Sequence, residues 1–206
     1  MSLNTKQSDP IYSILVKISI ILFLLFSGWL LYDHFINRPL DVRYYLTANN
    51  AFKDKRYDIS LDNYLKAYSY NPTDAYIIEG IARSYMELDD FENSLKYFNL
   101  AINTDQEFAP AYANLGVLYD KNKDYLNAIK FYEIALQIDQ DLSVGMHWID
   151  RLLYDVRTKP PTIMDRLFYL KDQMLLPEDK RILSIDEIDN EQINYCLLYT
   201  SPSPRD

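Results

Sequence analysis

A repeat of 34 residues constrains this chain more than any other feature. Segments beginning at Asp41, Ala75 and Ala109 align at that spacing without a gap. One column holds Tyr57, Phe91 and Tyr125. Three residues on stand Ser60, Ser94 and Ala128, then Tyr64, Phe98 and Tyr132, then Ala67, Ala101 and Ala135. Earlier in each segment the columns are Thr47, Ile81, Leu115, then Ala48, Ala82, Gly116, then Ala51, Tyr85, Tyr119. Steps of three and four place such residues on one face of a helix. A fixed period of this length marks stacked units that bury their apolar faces against one another. The expected unit is a pair of antiparallel helices, with small residues where they cross and aromatics filling the space beside. Turns fall at DKRY, LDDF and KNKDY within units and at NPTD and DQEF between them, and Pro72 stops the first unit.

The small–aromatic–small pattern over 41–74, 75–108 and 109–142 resembles the tetratricopeptide repeat. The third unit matches best, through Tyr112, Leu115, Gly116, Tyr119, Tyr125, Ala128, Tyr132 and Ala135. The first is degenerate, with Thr47 and Ala51 in place of larger residues. The fold class expected is therefore all-α: an antiparallel helix-pair solenoid of three repeats. Residues 143–158 read as its capping helix, with Val144, Trp148, Ile149, Leu152, Leu153 and Val156 on one side. After Lys159-Pro160-Pro161, Thr162 to Leu175 reads as a further helix with Ile163, Leu167, Leu170 and Met174 together. It belongs to an extension over 159–195 that is helical or irregular.

The two ends differ from this middle. After a tail at 1–10, residues 11–32 are apolar apart from Lys17 and scattered serines, and Ser13 to Tyr32 supplies the roughly 20 residues that span a bilayer. Lys17 can snorkel, and Trp29 and Tyr32 stand where interfacial aromatics are favoured. No A-x-A-like cleavage site follows, so an uncleaved single-pass anchor is expected rather than a signal peptide, with 33–40 as linker. A short tail before the anchor resembles bacterial inner-membrane proteins with a periplasmic domain, although the flanking Lys and Arg are close to balance. The last eleven residues, Cys196 to Asp206, resemble a translated sequencing-library adapter. On that reading they stand outside the fold, and the natural chain was cut near Tyr195.

Little catalytic chemistry is encoded. A net charge of −9 argues against a nucleic-acid surface. A single cysteine, Cys196, excludes an internal disulfide and a cysteine zinc site. Neither phosphate-binding glycine motif occurs. His34 and His147 are isolated. Asp120, Asn122 and Asp124 mimic the start of a calcium loop, but Tyr125 stands where glycine is needed and Phe131 where glutamate is needed, so a solvated turn is expected. No enzyme activity, metal, cofactor or small-molecule substrate is expected.

The resemblance implies that the first helix of each pair lines a concave groove for a protein or peptide. By column it offers Tyr45, Asn49 and Phe52, then Tyr76, Glu79, Arg83 and Met86, then Ala113, Asn114, Val117, Asp120 and Lys121. Some members grip a C-terminal carboxylate with paired Lys and Asn. Here Asn49 and Asn114 match, the lysines are missing, and Gly80 occupies another clamp position. The expected function is a membrane-anchored scaffold assisting assembly of a membrane or envelope complex. The alternatives are the docking part of a larger, truncated enzyme and an oligomerisation module.

Overall fold

The computed structural model describes residues 10–36, 38–144 and 162–184. The chain divides into two units, 1–39 and 40–206, each taken by itself below. Among its described residues the first holds one helix, α1 (Pro10–Ile36). Within it Pro10–Asp33 has a mean hydropathy of 2.4 and none of it is buried, so it is long and apolar enough to cross a membrane. Its 27 residues rise about 40 Å.

The second unit contains α2 (Leu40–Lys53), α3 (Tyr57–Tyr70), α4 (Ala75–Glu87), α5 (Phe91–Thr104), α6 (Ala109–Lys121) and α7 (Tyr125–Ile138). A short 3-10 turn, Gln140–Ser143, and α8 (Ile163–Met174) follow. Helices pack as pairs, α2 with α3, α4 with α5 and α6 with α7, and each pair stacks on the next. The first helices α2, α4 and α6 also adjoin one another along one side. No strand occurs among the described residues.

The columns read from the sequence have physical causes here. Ala48, Ala82, Ser60, Ser94 and Ala128 are all fully buried where paired helices cross. The two serines do more than leave room: Ser60 Oγ donates to the Ala48 carbonyl at 3.0 Å, and Ser94 Oγ to the Ala82 carbonyl at 2.9 Å. Tyr64, Phe98 and Tyr132 fill the space beside them.

The turn inside each pair is a repeated device. Lys55, Asp89 and Lys123 have φ of 59°, 59° and 62°. The next residue returns its N–H to the helix: Arg56 to the Ala51 carbonyl, Asp90 to Tyr85 and Asp124 to Tyr119, each at 2.9 Å. This left-handed close satisfies the end of the first helix. The same residue opens the second helix. Asp90 and Asp124 accept the N–H of Asn93 and Asn127, while Arg56 offers no such cap. The calcium-like run at 120–124 is thus the turn of the third pair, but Asp120 itself is held in an ion pair rather than solvated.

Of the expected capping helix over 143–158, Ser143 ends the 3-10 turn, Val144 follows it, and 145–158 lie outside the described residues, as do 185–206. Among the described residues α8 packs on α7. Thr162 caps it in a reciprocal capping box with Asp165. Ile163, Leu167 and Leu170 are buried as the spacing predicts, whereas Met174 is only partly so.

Candidate partner-binding face

The face built by α2, α4 and α6 carries a polar seam. Asn49 stands on α2, and its side-chain oxygen accepts from the Tyr64 hydroxyl. Arg83, one repeat on from Asn49, donates from Nη2 to that same hydroxyl at 3.3 Å. Its Nε lies 2.6 Å from the Glu79 carboxylate one turn back. The guanidinium also covers the Phe52 ring at 4.9 Å, a favourable cation–aromatic distance. From α6, Asn114 Nδ2 donates to Glu79 at 2.6 Å. One chain of hydrogen bonds, joined by the Arg83–Glu79 ion pair, therefore crosses all three repeats.

Burial governs its electrostatics. Glu79 and Arg83 are 2% and 3% exposed. Desolvation raises the Glu79 pKa, opposed by Arg83 and by the Asn114 hydrogen bond. Burial likewise raises the Tyr64 pKa. Arg83 Nε and Nη1 are both buried without a hydrogen-bond partner among the described residues, so Nε meets Glu79 as an ion pair.

The other expected groove residues are dispersed. Lys121 Nζ donates to the Met86 carbonyl at 3.2 Å and lies 3.7 Å from Asp89. Asp120 accepts from Arg166 of α8 through both oxygens, at 2.7 and 2.8 Å, and from the Tyr132 hydroxyl at 3.1 Å. Tyr76 stands apart from the seam, edge-on to Phe108 at 4.7 Å. Ala113 and Val117 join a buried apolar cluster with Met86. Of the twelve, Tyr45, Phe52, Glu79, Arg83, Met86, Ala113, Asn114 and Val117 are buried; Asn49, Tyr76, Asp120 and Lys121 keep partial exposure.

Three participants are absent from the sequence-based set, Tyr64, Tyr132 and Arg166. The Tyr64 column reads as aromatic filling, yet its hydroxyl is used where a polar partner faces it: Asn49 and Arg83 for Tyr64, Asp120 for Tyr132. Phe98 stands in the middle unit without one. Arg166 lies 46 residues from Asp120, beyond any periodic signal. No group of three or more His, Cys, Asp or Glu suited to a metal occurs among the described residues.

Three helix pairs in register, with a polar seam along their first helices, define a helical-repeat solenoid. Residues 76–108 and 109–142 each match the family described as tetratricopeptide repeat. The second and third helix pairs are thus tetratricopeptide repeats; the first pair lies outside both matches. The fold is similar to the first TPR of Spaghetti (RPAP3) bound to HSP90 peptide SRMEEVD, at 18% identity and a TM-score of 0.52, covering 66% of this chain and 94% of that one. It is also similar to the Sgt2 TPR domain from Aspergillus fumigatus, at 18% identity and a TM-score of 0.53, covering 72% and 93%. At that identity the likeness is one of fold.

Proposed function

We propose that this chain is a membrane-anchored scaffold that holds a segment of another protein against the α2–α4–α6 face, assisting assembly of a membrane or envelope complex. The observation that carries the reading is the continuous polar seam from Asn49 to Asn114 on a tetratricopeptide-repeat framework. Concave surfaces of stacked helix pairs are used for extended partners. The Spaghetti domain's partner is an HSP90 peptide. Here the lysines that would match a carboxylate grip are absent and Gly80 contributes no side chain at another clamp position. Recognition falls to the partly exposed groups Asn49, Tyr76, Asp120 and Lys121 around a seam already neutralised internally. α1 supplies the anchor, which confines the search to the membrane plane and raises effective concentration. In this reading α1 is an inner-membrane anchor and the repeats face the periplasm.

The test is site-specific photocrosslinking in native membranes from position 49 or 121, compared with Lys96 on α5. A discrete adduct from 49 and 121, weakened by Tyr76→Ala and absent from 96, is expected. Identical adducts from all three positions refute the assignment of the face.

A further inference from the structure

A contact between successive first helices continues past the third pair. Phe52, Met86 and Asp120 occupy one column of the 34-residue period. Each is met by a cation from the helix that stacks next. The Arg83 guanidinium of α4 covers the Phe52 ring, Lys121 of α6 donates to the Met86 carbonyl, and Arg166 of α8 grips Asp120 through both oxygens. α8 also packs on α7 as α4 packs on α3 and α6 on α5. It therefore takes the seat of a fourth first helix. The repeat does not supply it in register: the period would open that helix at Ser143, whereas α8 opens at Ile163. The seat thus selects a helix by its side chains rather than by its place in the repeat.

Those side chains define what fits. Ile163, Leu167 and Leu170 join the apolar cluster of the third pair, and Arg166 is buried in the same stripe. A two-pronged pair with a carboxylate favours arginine over lysine. The seat so defined takes an amphipathic helix with an arginine in its apolar stripe. α8 fills it loosely. Four of its twelve residues are buried, against ten of thirteen in α4 and nine of thirteen in α6, so it should open well before either. Phe168 and Leu175 stay 55% and 85% exposed, so its outer side adds little attachment. A helix of about 12 residues is also marginal in water by itself. Asp120 is one of the groups assigned above to recognition, and α8 and a bound segment cannot both take it. A chain of net charge −9 draws basic segments towards that carboxylate.

We propose that the partner segment is a basic amphipathic helix whose arginine replaces Arg166 at Asp120, and that α8 is its competitor within the chain. This inference rests on the assignment of the α2–α4–α6 face to a partner. The test adds a fluorescein-labelled peptide of residues 162–175 to the full chain in detergent micelles. Binding should be several-fold tighter to the Arg166→Ala/Leu170→Ser chain than to the unaltered chain, and should be lost when the peptide itself carries Arg166→Ala. A variant of unchanged helicity that binds neither peptide, or both alike, overturns the exchangeable seat. If the variant unfolds, hydrogen exchange in the unaltered chain decides: amides of α8 should exchange several-fold faster than those of α7, and equal rates overturn the proposal. The photocrosslinked adduct from position 121 in native membranes separates this from the wider reading. Its yield should rise several-fold in the Arg166→Ala/Leu170→Ser chain. An adduct of unchanged yield overturns α8 as competitor and leaves the face standing, whereas no adduct from either chain overturns the face, and the competitor with it.

Discussion

Glu79 and Arg83 show how much a single buried charge depends on its neighbours. Removing one partner of a buried pair leaves the other uncompensated, a cost of about 3–5 kcal/mol, while replacing both with apolar groups is often neutral. Arg83→Met should therefore lower stability by that order, and Glu79→Met/Arg83→Met should recover most of the loss in chemical denaturation. A double variant no more stable than the single would show that the pair is not the source of the cost. Glu87 offers a pH-dependent counterpart. Burial is the chief cause of its raised pKa, and its Oε1 is buried without a hydrogen bond among the described residues. A carboxyl whose folded pKa lies above its unfolded value is protonated in both states at low pH and costs nothing there. Stability is lost as pH rises through the folded value. Glu87→Gln should raise the melting temperature at pH 7, and its advantage should vanish as pH falls towards the ordinary value of 4.5. An advantage independent of pH would exclude that origin.

At the scale of the helix, ends matter as much as faces. Asp90 and Asp124 cap α5 and α7, whereas α3 starts at Arg56 with no side-chain cap. The Arg56–Asp54 ion pair is exposed on both sides and worth little. Arg56→Asp should therefore stabilise the first pair, and Asp124→Ala should destabilise the third, each by about 1 kcal/mol. Thermal denaturation of the two variants checks the opposite signs. α8 depends on a different contact, the two-pronged Arg166–Asp120 pair, which also fixes Leu183 through Arg166 Nη2 at 3.0 Å. A double-mutant cycle with Arg166→Ala and Asp120→Ala should give a coupling of about 1–3 kcal/mol; additive losses would mean that α8 is held by its apolar face alone.

Across the whole repeat array, stability is a sum of unit and interface contributions. The third pair is covered on one side by α5 and on the other by α8, and its α7 is capped. The first pair has an uncapped α3 and an exposed outer corner. Backbone amides of α2 and α3 should thus exchange hydrogen faster than those of α6 and α7. Uniform protection across the pairs would show one cooperative block instead of a graded array.

The period of 34, the small and aromatic columns and the apolar N-terminal helix all follow from local spacing, and spacing is what a sequence displays. Gly80 and Gly116 mark its edge. Both lie against tyrosine rings, and a methyl added at Gly116 would fall 2.6 Å from Tyr132, so each needs the smallest side chain. Yet Gly116 meets the ring of its own pair and Gly80 that of the pair before. Position in the period marked Gly116 as close-packed, in one column with Ala48 and Ala82, but gave no such sign for Gly80, and only packing decided what each meets. The candidate binding face divides in the same way. Periodicity placed Asn49, Glu79, Arg83 and Asn114 on first helices, but it could not show that burial would drive them to satisfy one another through Tyr64. Nor could it find Arg166, because an ion pair closed across 46 residues leaves no mark in local pattern. Which polar groups remain for a partner is a property of the assembled helices, where desolvation makes each buried charge seek its complement.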